Sequence, residues 1–123
     1  MSTEHLIFVY GSLMEGFQHH DVLAGAVPLG PRRTEASWSL VDLGRFPGVV
    51  PGQLSVVGEL YRVGEPLLAR LDQLEGCPTF YRRERVTLEQ GEQAFIYILQ
   101  PDAMPGTATT IPSGSWRSWC QRN

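Results

Sequence analysis

The chain has 123 residues, of which 42% are hydrophobic and 19% are charged. This length and composition predict one globular domain with a single core. The net charge of -3 disfavours a nucleic-acid-binding surface, which needs clustered positive charge. Only two cysteines occur, Cys77 and Cys120, too few for a disulfide framework, so a reducing compartment is favoured. We therefore expect a single cytoplasmic domain over residues 1–123.

The first predicted element is a buried strand over residues 6–10, an apolar run rich in β-branched and aromatic side chains. No basic region precedes this run, and it is too short for a signal peptide or a membrane span. A sharp turn at Gly11 and Ser12 ends the strand. A short helix is predicted next, within residues 17–24, with Gly25 as its end.

Alternating polarity predicts further strands in the middle of the chain, at residues 32–43 and 56–63. Between them, residues 44–48 (Gly-Arg-Phe-Pro-Gly) and 49–52 have the chemistry of turns. Two further strands are predicted at residues 81–88 and 94–99, joined by a hairpin loop at residues 89–92. The tail after Pro101 is predicted to be irregular, apart from a helical turn within residues 111–119. Strands dominate, so we predict an α+β fold: a small mixed, mostly antiparallel β-barrel flanked by a few short helices.

The clearest predicted helix spans residues 65–75. Pro66 lies in its first turn, where a missing N–H costs nothing, and Gly76 ends it. One apolar face is formed by four leucines: Leu67, Leu68, Leu71 and Leu74. Glu75 is then the last helical residue, where partial burial and the negative end of the helix dipole raise its pKa towards that of a general base. A solvated carboxylate at a helix end is the alternative interpretation.

A second candidate feature is the turn that follows the first strand: Tyr10, Gly11, Ser12 and Leu13. Glycine lets a ligand approach the backbone closely, and successive N–H groups in such a turn can bind an anion. An ordinary strand-ending turn explains the same residues equally simply. No glycine-rich nucleotide-binding motif occurs in the sequence.

The histidines and cysteines give weaker indications of function. His19 and His20 are adjacent, so they point in different directions, and we expect both at the surface. No cluster at metal-ligand spacing accompanies them, so no metal site is predicted. No histidine follows His20 to activate Cys77 as a nucleophile. We expect Cys77 to be a small buried apolar residue instead.

Together these segments resemble the gamma-glutamylcyclotransferase-like family, which includes gamma-glutamylamine cyclotransferases and AIG2-like proteins. The resemblance rests on motifs in one order: residues 9–13 (Val-Tyr-Gly-Ser-Leu), 44–48, 57–63 (Val-Gly-Glu-Leu-Tyr-Arg-Val), 71–76 (Leu-Asp-Gln-Leu-Glu-Gly) and 81–83 (Tyr-Arg-Arg). It covers residues 6–99, and residues 113–116 resemble a C-terminal element of bacterial members. One departure is Ser115, which stands where those members often carry an acidic residue.

The resemblance implies a fold with one pocket and a reaction that needs neither metal nor organic cofactor. It implies that backbone groups of four consecutive residues bind the glutamyl end of a substrate: Tyr10, Gly11, Ser12 and Leu13. Glu75 matches the family's single essential acid. Tyr81 matches an aromatic residue of the pocket wall. The implied partner is a small gamma-glutamyl substrate, with no nucleic acid and no membrane.

The implied chemistry is cyclisation of a gamma-glutamyl amide, which carries its own nucleophile in the α-amine. The enzyme needs only to fold the substrate and to move a proton from the α-ammonium to the departing amine. The products would be 5-oxoproline and an amine or amino acid.

Two alternatives and two open roles remain at this stage. The pocket could bind a small carboxylate metabolite without turnover. Alternatively, the same chemistry could remove a gamma-glutamyl protecting group during the biosynthesis of a secondary metabolite. Arg45 or Arg83 could contact substrate, but for Arg83 a surface pair with Glu84 or Glu92 is the preferred interpretation.

Overall fold

The computed structural model describes residues 4–122 and has the mixed α+β fold that the sequence predicts. The ends of the predicted domain, residues 1–3 and 123, lie outside the described residues. The strands are β1 (Glu4–Val9), β2 (Val27–Arg33), β3 (Trp38–Asp42), β4 (Pro47–Pro51), β5 (Val57–Gly64), β6 (Tyr81–Thr87), β7 (Gln93–Leu99) and β8 (Thr109–Thr110). The helices are α1 (Glu65–Leu74), α2 (Trp116–Cys120) and two short 3₁₀ helices (His20–Leu23 and Pro101–Ala103). None of the helices within residues 4–122 is long and apolar enough to cross a membrane.

The strands form two sheets around the core. One sheet has five strands in the order β2-β5-β1-β7-β6, and the other has three in the order β4-β3-β8. β1 lies at the centre of the larger sheet, where it pairs antiparallel with β5 (Phe8 opposite Leu60) and parallel with β7 (Ile7 opposite Phe95). All other strand pairs in the described chain are antiparallel. The sheets are barrel-like rather than a fully closed barrel.

Three strands were not predicted: the two-residue β8, which lies in the tail that was predicted to be irregular, and β2 and β4, which carry proline. β2 contains Pro28 and Pro31, with a register shift between Pro28 and Gly30. β4 begins at Pro47 and ends at Pro51, in a stretch whose composition predicted turns. Each is an edge strand of its sheet. Since an edge strand leaves one row of N–H groups unpaired, it tolerates a residue that has no N–H to donate.

Two predicted boundaries also change. The strand predicted over residues 32–43 is shorter: β3 begins at Trp38, and residues 32–33 belong to β2. The helix predicted within residues 17–24 is a 3₁₀ helix over His20–Leu23. The predicted hairpin of β6 and β7 is confirmed, and so is the helical turn near the C-terminus, where Trp116 is buried.

The core determines where the ends of β1 and α1 lie. Phe8 in β1 is fully buried, and Gly58 in β5 lets the two strands approach, since a Cβ there would lie 2.3 Å from the Val9 carbonyl oxygen. α1 buries Leu68 and Leu71. Leu74 was predicted to share that face, but it is 42% exposed, because the helix ends there and the core lies behind its earlier turns.

Candidate active site

The turn after β1 is fixed in place by its tyrosine and its glycine, which both pack against neighbouring residues. Tyr10 is buried and its hydroxyl donates a hydrogen bond to the Tyr97 carbonyl oxygen at 2.7 Å. A Cβ on Gly11 would lie 2.8 Å from Cγ of Pro47, so only glycine fits without displacing a rigid proline ring. Within residues 4–122, no acceptor takes the N–H groups of Gly11, Ser12 and Leu13. Three consecutive donors are therefore free to meet an anion.

Both histidines fold the following loop back onto this turn. The backbone N–H of His19 donates to the Ser12 carbonyl oxygen at 2.9 Å, and His19 Nδ1 lies 3.1 Å from Ser12 Oγ. His20 Nδ1 donates to the Leu13 carbonyl oxygen at 2.9 Å. His19 is exposed, as predicted, but His20 is half-buried beside the Tyr61 ring. The prediction of a surface position is wrong for His20, because its ring carries a structural hydrogen bond.

Glu59, from the predicted motif at 57–63, ties the loop to the body of the molecule. Its Oε1 accepts hydrogen bonds from the Glu15 N–H at 2.9 Å and from the Tyr61 hydroxyl at 2.8 Å. Its Oε2 pairs with Arg117 of α2 at 3.1 Å, and Arg117 also donates to the Glu15 carbonyl oxygen at 2.7 Å. The loop that displays the free N–H groups is thus anchored to β5 and α2 together.

Glu75 follows the last residue of α1 and occupies its C-cap position. Gly76 takes the left-handed conformation at φ +67°, and the Cys77 N–H donates to the Asp72 carbonyl oxygen at 2.9 Å, which is how a helix ends at glycine. Glu75 is half-buried, and burial raises the pKa of its carboxyl from 4.5 to about 7. Within the described residues no donor and no cation pairs with this carboxylate.

Three tyrosines surround Glu75, and all three donate their hydroxyl protons elsewhere. Proximity of the Glu75 charge contributes to raising the pKa of Tyr10, Tyr81 and Tyr97, after desolvation by burial. Tyr81 donates to the Pro47 carbonyl oxygen at 2.7 Å, and Tyr97 donates to Asp72 Oδ1 at 2.8 Å. Nothing among these neighbours stabilises the charged form of Glu75, so both the protonated and the charged form of its carboxyl are populated near neutral pH.

The turn and the glutamate face one cavity of about 300 Å³. Its lining comes from the end of β1, the following loop, the β3–β4 connection, the end of α1 and two strands: Phe8, Val9, Tyr10, Gly11, Ser12, Leu13, Gln18, His19, Phe46, Pro47, Leu74, Glu75, Gly76, Phe80, Tyr81 and Tyr97. All six residues predicted for the site are among them. The cavity therefore combines free N–H donors with one unpaired carboxylate of raised pKa.

The comparisons with known proteins identify the family of the chain. The family model described as "Gamma-glutamyl cyclotransferase, AIG2-like" matches residues 7–118. The chain belongs to that family. A Vibrio cholerae protein that carries the provisional name gamma-glutamylcyclotransferase is 43% identical over 97% of this chain and 98% of its own length. The gamma-glutamylcyclotransferase family protein YtfP of Escherichia coli K12 is 34% identical over 89% of this chain and 94% of its own length.

Solved structures place the chain in the same family of folds. A uropathogenic E. coli-specific protein superposes with a TM-score of 0.83 at 25% identity, covering 96% of both chains. An AIG2-like protein from Mus musculus superposes with a TM-score of 0.77 at 28% identity, covering 92% of this chain and 88% of its own. The present cyclotransferase-family member thus shares its fold over almost its whole length with proteins from bacteria and a mammal.

Several cavity residues of this family member were not predicted. Tyr97 lies in an apolar strand and Phe80 lies beside another aromatic residue. The sequence around each is that of an ordinary core residue, so it does not indicate that either one lines a cavity. Leu74 was predicted to lie on the core-facing side of α1, so nothing in the sequence indicated that it lines the cavity. His19 was dismissed because a single histidine without a ligand cluster is usually a surface residue.

Other candidates lie elsewhere. Arg45 and Arg83 are both absent from the cavity lining. Arg83 pairs with Asp72 at 2.6 Å, so the predicted pairing with Glu84 or Glu92 is wrong. Asp72 and Arg83 meet because the end of α1 lies beside β6. Their separation along the sequence does not indicate this contact.

Cys77 is half-buried rather than fully buried, and burial raises the pKa of its thiol to about 11. A thiol with so high a pKa is a weak nucleophile at neutral pH. Ser115 acts as the N-cap of α2, where its hydroxyl accepts a hydrogen bond from the Ser118 N–H at 3.2 Å. Within residues 4–122, no group of three or more His, Cys, Asp and Glu side chains is positioned to hold a metal ion.

Proposed function

We propose that the protein is a cyclotransferase that releases 5-oxoproline and an amine from a gamma-glutamyl amide. The observation that carries the proposal is the unpaired, half-buried carboxylate of Glu75 in the cavity of the Tyr10–Leu13 turn. A proton carrier that works in both directions needs a pKa near the working pH, and burial raises the pKa of this carboxyl to about 7. Family membership supports the reaction class.

The first step is proton transfer from the substrate. The Glu75 carboxylate accepts a proton from the α-ammonium, and the free α-amine then attacks the γ-carbonyl carbon. Both groups belong to one molecule, so the cavity contributes by holding the substrate folded, which replaces a bimolecular encounter with an oriented one. Because the carboxylate form must be present to accept the proton, kcat/KM is expected to rise with pH through about 7.

The second step breaks the amide bond. Attack forms a carbon–nitrogen bond in a five-membered ring and leaves a negative charge on the former carbonyl oxygen. The protonated Glu75 gives its proton to the departing nitrogen, and the old carbon–nitrogen bond breaks. The ring nitrogen, which still carries one proton more than the product, gives that proton to the Glu75 carboxylate as the carbonyl of 5-oxoproline re-forms. The released amine or solvent then takes this proton, and the carboxylate is restored. The free N–H groups of Gly11, Ser12 and Leu13 are suited either to the oxygen that develops charge or to the α-carboxylate.

A panel assay tests the reaction. The purified protein would be incubated with gamma-glutamyl amines, gamma-glutamyl amino acids and glutathione, and 5-oxoproline would be measured by mass spectrometry. Equal amounts of 5-oxoproline and free amine are expected from at least one panel member. Release of glutamate instead would indicate hydrolysis and contradict the proposal. Saturable binding of panel members without any product would point to a binding protein.

A further inference from the structure

The residues that line the cavity are of two chemical kinds. The polar ones include the turn with its free N–H groups, Gln18 and His19, whose ring approaches Ser12 Oγ at 3.1 Å. Three large apolar side chains form what we term the apolar rim: Phe46, Leu74 and Phe80. A glutamyl group has two charged substituents and suits the polar residues. The apolar rim then remains for the other half of the substrate.

The apolar rim leaves carbon surface in contact with water. Phe46 is 36% exposed and Leu74 is 42% exposed. Only two other large apolar side chains within residues 4–122 reach similar exposure, Val27 and Met104, and neither lines this cavity. Exposed apolar side chains gathered at one cavity mark a surface that binds apolar groups. Covering them with an apolar group is favourable, because it removes this carbon surface from water.

The two aromatic rings of the rim connect to a third ring that lies near Glu75. The rings of Phe46 and Phe80 meet edge to face with centroids 5.8 Å apart. The rings of Phe80 and Tyr81 meet in the same way at 4.8 Å. Burial raises the pKa of Tyr81, and the nearby Glu75 charge raises it further. A chain that leaves from the carbon beside Glu75 would therefore run along aromatic surface.

No charged partner awaits a charged leaving group. Among the residues that line the cavity, Glu75 and His19 are the ones other than tyrosines that ionise, and Glu75 is committed to the α-amine in the proposed reaction. A charged amine and an apolar amine of equal length share their methylene groups and differ only at the end group. An ammonium group on the rim gives up part of its hydration, which an aromatic ring offsets only weakly, whereas a methyl group there gains from leaving water.

We propose that this enzyme selects gamma-glutamyl amides whose leaving amine is apolar and uncharged beyond its nitrogen, such as an alkyl or aryl amine. This inference rests on the proposed function. It assigns the apolar rim as the subsite for the leaving group, and it makes Phe46 a residue that determines specificity.

A matched pair of substrates tests the inference. One is gamma-glutamyl hexylamide, and the other replaces its terminal methyl group by an ammonium group, so that length and reacting bond are the same. We expect kcat/KM for the hexylamide to exceed that of its charged counterpart by about tenfold or more, which corresponds to about 1.4 kcal/mol.

Two variants locate the preference. Phe46→Asp puts a carboxylate on the rim and should reduce the hexylamide preference at least about tenfold, mainly through KM. Met104→Asp is the matched control, since Met104 is 41% exposed but lies outside the cavity, and the preference should not change. The ratio of the kcat/KM values for the two substrates does not depend on how much of the protein is folded, because both values scale with the same active fraction.

The outcomes separate this inference from the proposed function. Turnover of both substrates at equal rates, or faster turnover of the charged one, would overturn the inference and leave the cyclotransferase standing. A hexylamide preference that survives Phe46→Asp would also overturn it, because the rim would not be its origin. Absence of 5-oxoproline from every gamma-glutamyl amide would refute the proposed function and the inference together.

Discussion

Among single residues, Glu75 combines partial burial, a helix-end position and the absence of any donor in residues 4–122. The three hydroxyl groups around it belong to Tyr10, Tyr81 and Tyr97, and each donates to another acceptor. A carboxylate in water would be better solvated, so the folded chain bears a cost for keeping this one charged. Residues that lower stability and have no structural role are expected at sites where a protein performs chemistry.

This cost gives a prediction for stability. The pKa of the Glu75 carboxyl is raised from 4.5 to about 7, so below about pH 4.5 the group is protonated in both folded and unfolded chains and costs nothing. As pH rises towards 7 the unfolded chain ionises first, and the fold loses stability, by on the order of 3 kcal/mol when the shift is complete. Glu75→Gln should therefore raise the melting temperature at pH 8 and leave it nearly unchanged at pH 4.5.

Thermal unfolding of both proteins across this pH range checks the prediction. Glu89→Gln is a suitable control, because Glu89 is exposed and its side chain takes part in none of the ion pairs of the described residues. A Glu75→Gln variant that is less stable than the wild type at pH 8 would mean that the carboxylate has a stabilising partner after all.

The raised pKa of Glu75 could be predicted from the sequence, but its surroundings could not. An acidic residue at the C-terminal end of a helix is unfavourable, and the sequence alone shows that Glu75 occupies such a position before Gly76. The cause of the pKa shift is burial, which depends on Tyr10 and Tyr81 arriving from distant strands. The composition and spacing of the sequence do not show which acceptors the three tyrosine hydroxyl groups bond to, because those acceptors lie in other parts of the chain.

At the level of elements, the end of α1 is fastened to β6 and β7 through one side chain. Asp72 accepts a hydrogen bond from the Tyr97 hydroxyl at 2.8 Å and pairs with Arg83 at 2.6 Å. It lies three residues before Glu75, which is nearly one turn of helix. The same contacts hold the Tyr97 ring at the cavity wall, so the position of the carboxylate depends on Asp72.

Asp72→Ala is expected to lower kcat by about tenfold, because small displacements of a catalytic group are costly. Asp72→Asn keeps an acceptor for Tyr97 and should restore most of that loss. KM should change less than kcat, since Asp72 does not line the cavity. Steady-state kinetics at several pH values provides these readouts.

Asp102→Ala is the control for that experiment, because Asp102 is exposed in the 3₁₀ helix Pro101–Ala103, far from α1 along the chain. A kcat unchanged by Asp72→Ala, or a loss that Asp72→Asn does not relieve, would contradict a positioning role.

Helices and strands were predicted correctly where the hydrophobic periodicity was regular and no proline interrupted it. α1, β5 and the β6–β7 hairpin have clear periodicity and clear ends, so the sequence identifies them. β2 and β4 carry prolines that are compatible with a strand only at a sheet edge, and edge position is a property of the whole sheet. Their existence follows from topology rather than from local propensity.

For the whole molecule, the C-terminal segment closes the fold over the two sheets. Ile111 donates its N–H to the Leu40 carbonyl oxygen at 2.8 Å, and the Gly114 carbonyl oxygen accepts from the Val57 N–H at 2.8 Å. Trp116 is buried behind them. The same segment leads to Arg117, which pairs with Glu59 at 3.1 Å. The tail therefore supports the loop that displays the free N–H groups.

Gly114→Ala is expected to destabilise the fold by at least about 2 kcal/mol. A Cβ there would lie 2.0 Å from the Ser55 carbonyl oxygen, and the residue has a φ of +70°. Gly106→Ala is the matched control, since a Cβ at Gly106 meets nothing within 4 Å. Denaturant unfolding of both variants measures the difference. Equal stability of the two variants would show that the tail is not held as described.

The central claim is that Glu75 carries the proton in the formation of 5-oxoproline. The most direct test is the initial rate of 5-oxoproline release, measured by mass spectrometry on the best gamma-glutamyl amide, for the wild type, Glu75→Gln and Glu89→Gln. We predict that Glu75→Gln loses about 10²–10⁴-fold in rate while remaining folded, as expected when a general acid–base group is removed. Glu89→Gln should match the wild type. A Glu75→Gln protein that forms 5-oxoproline at the wild-type rate would contradict the account.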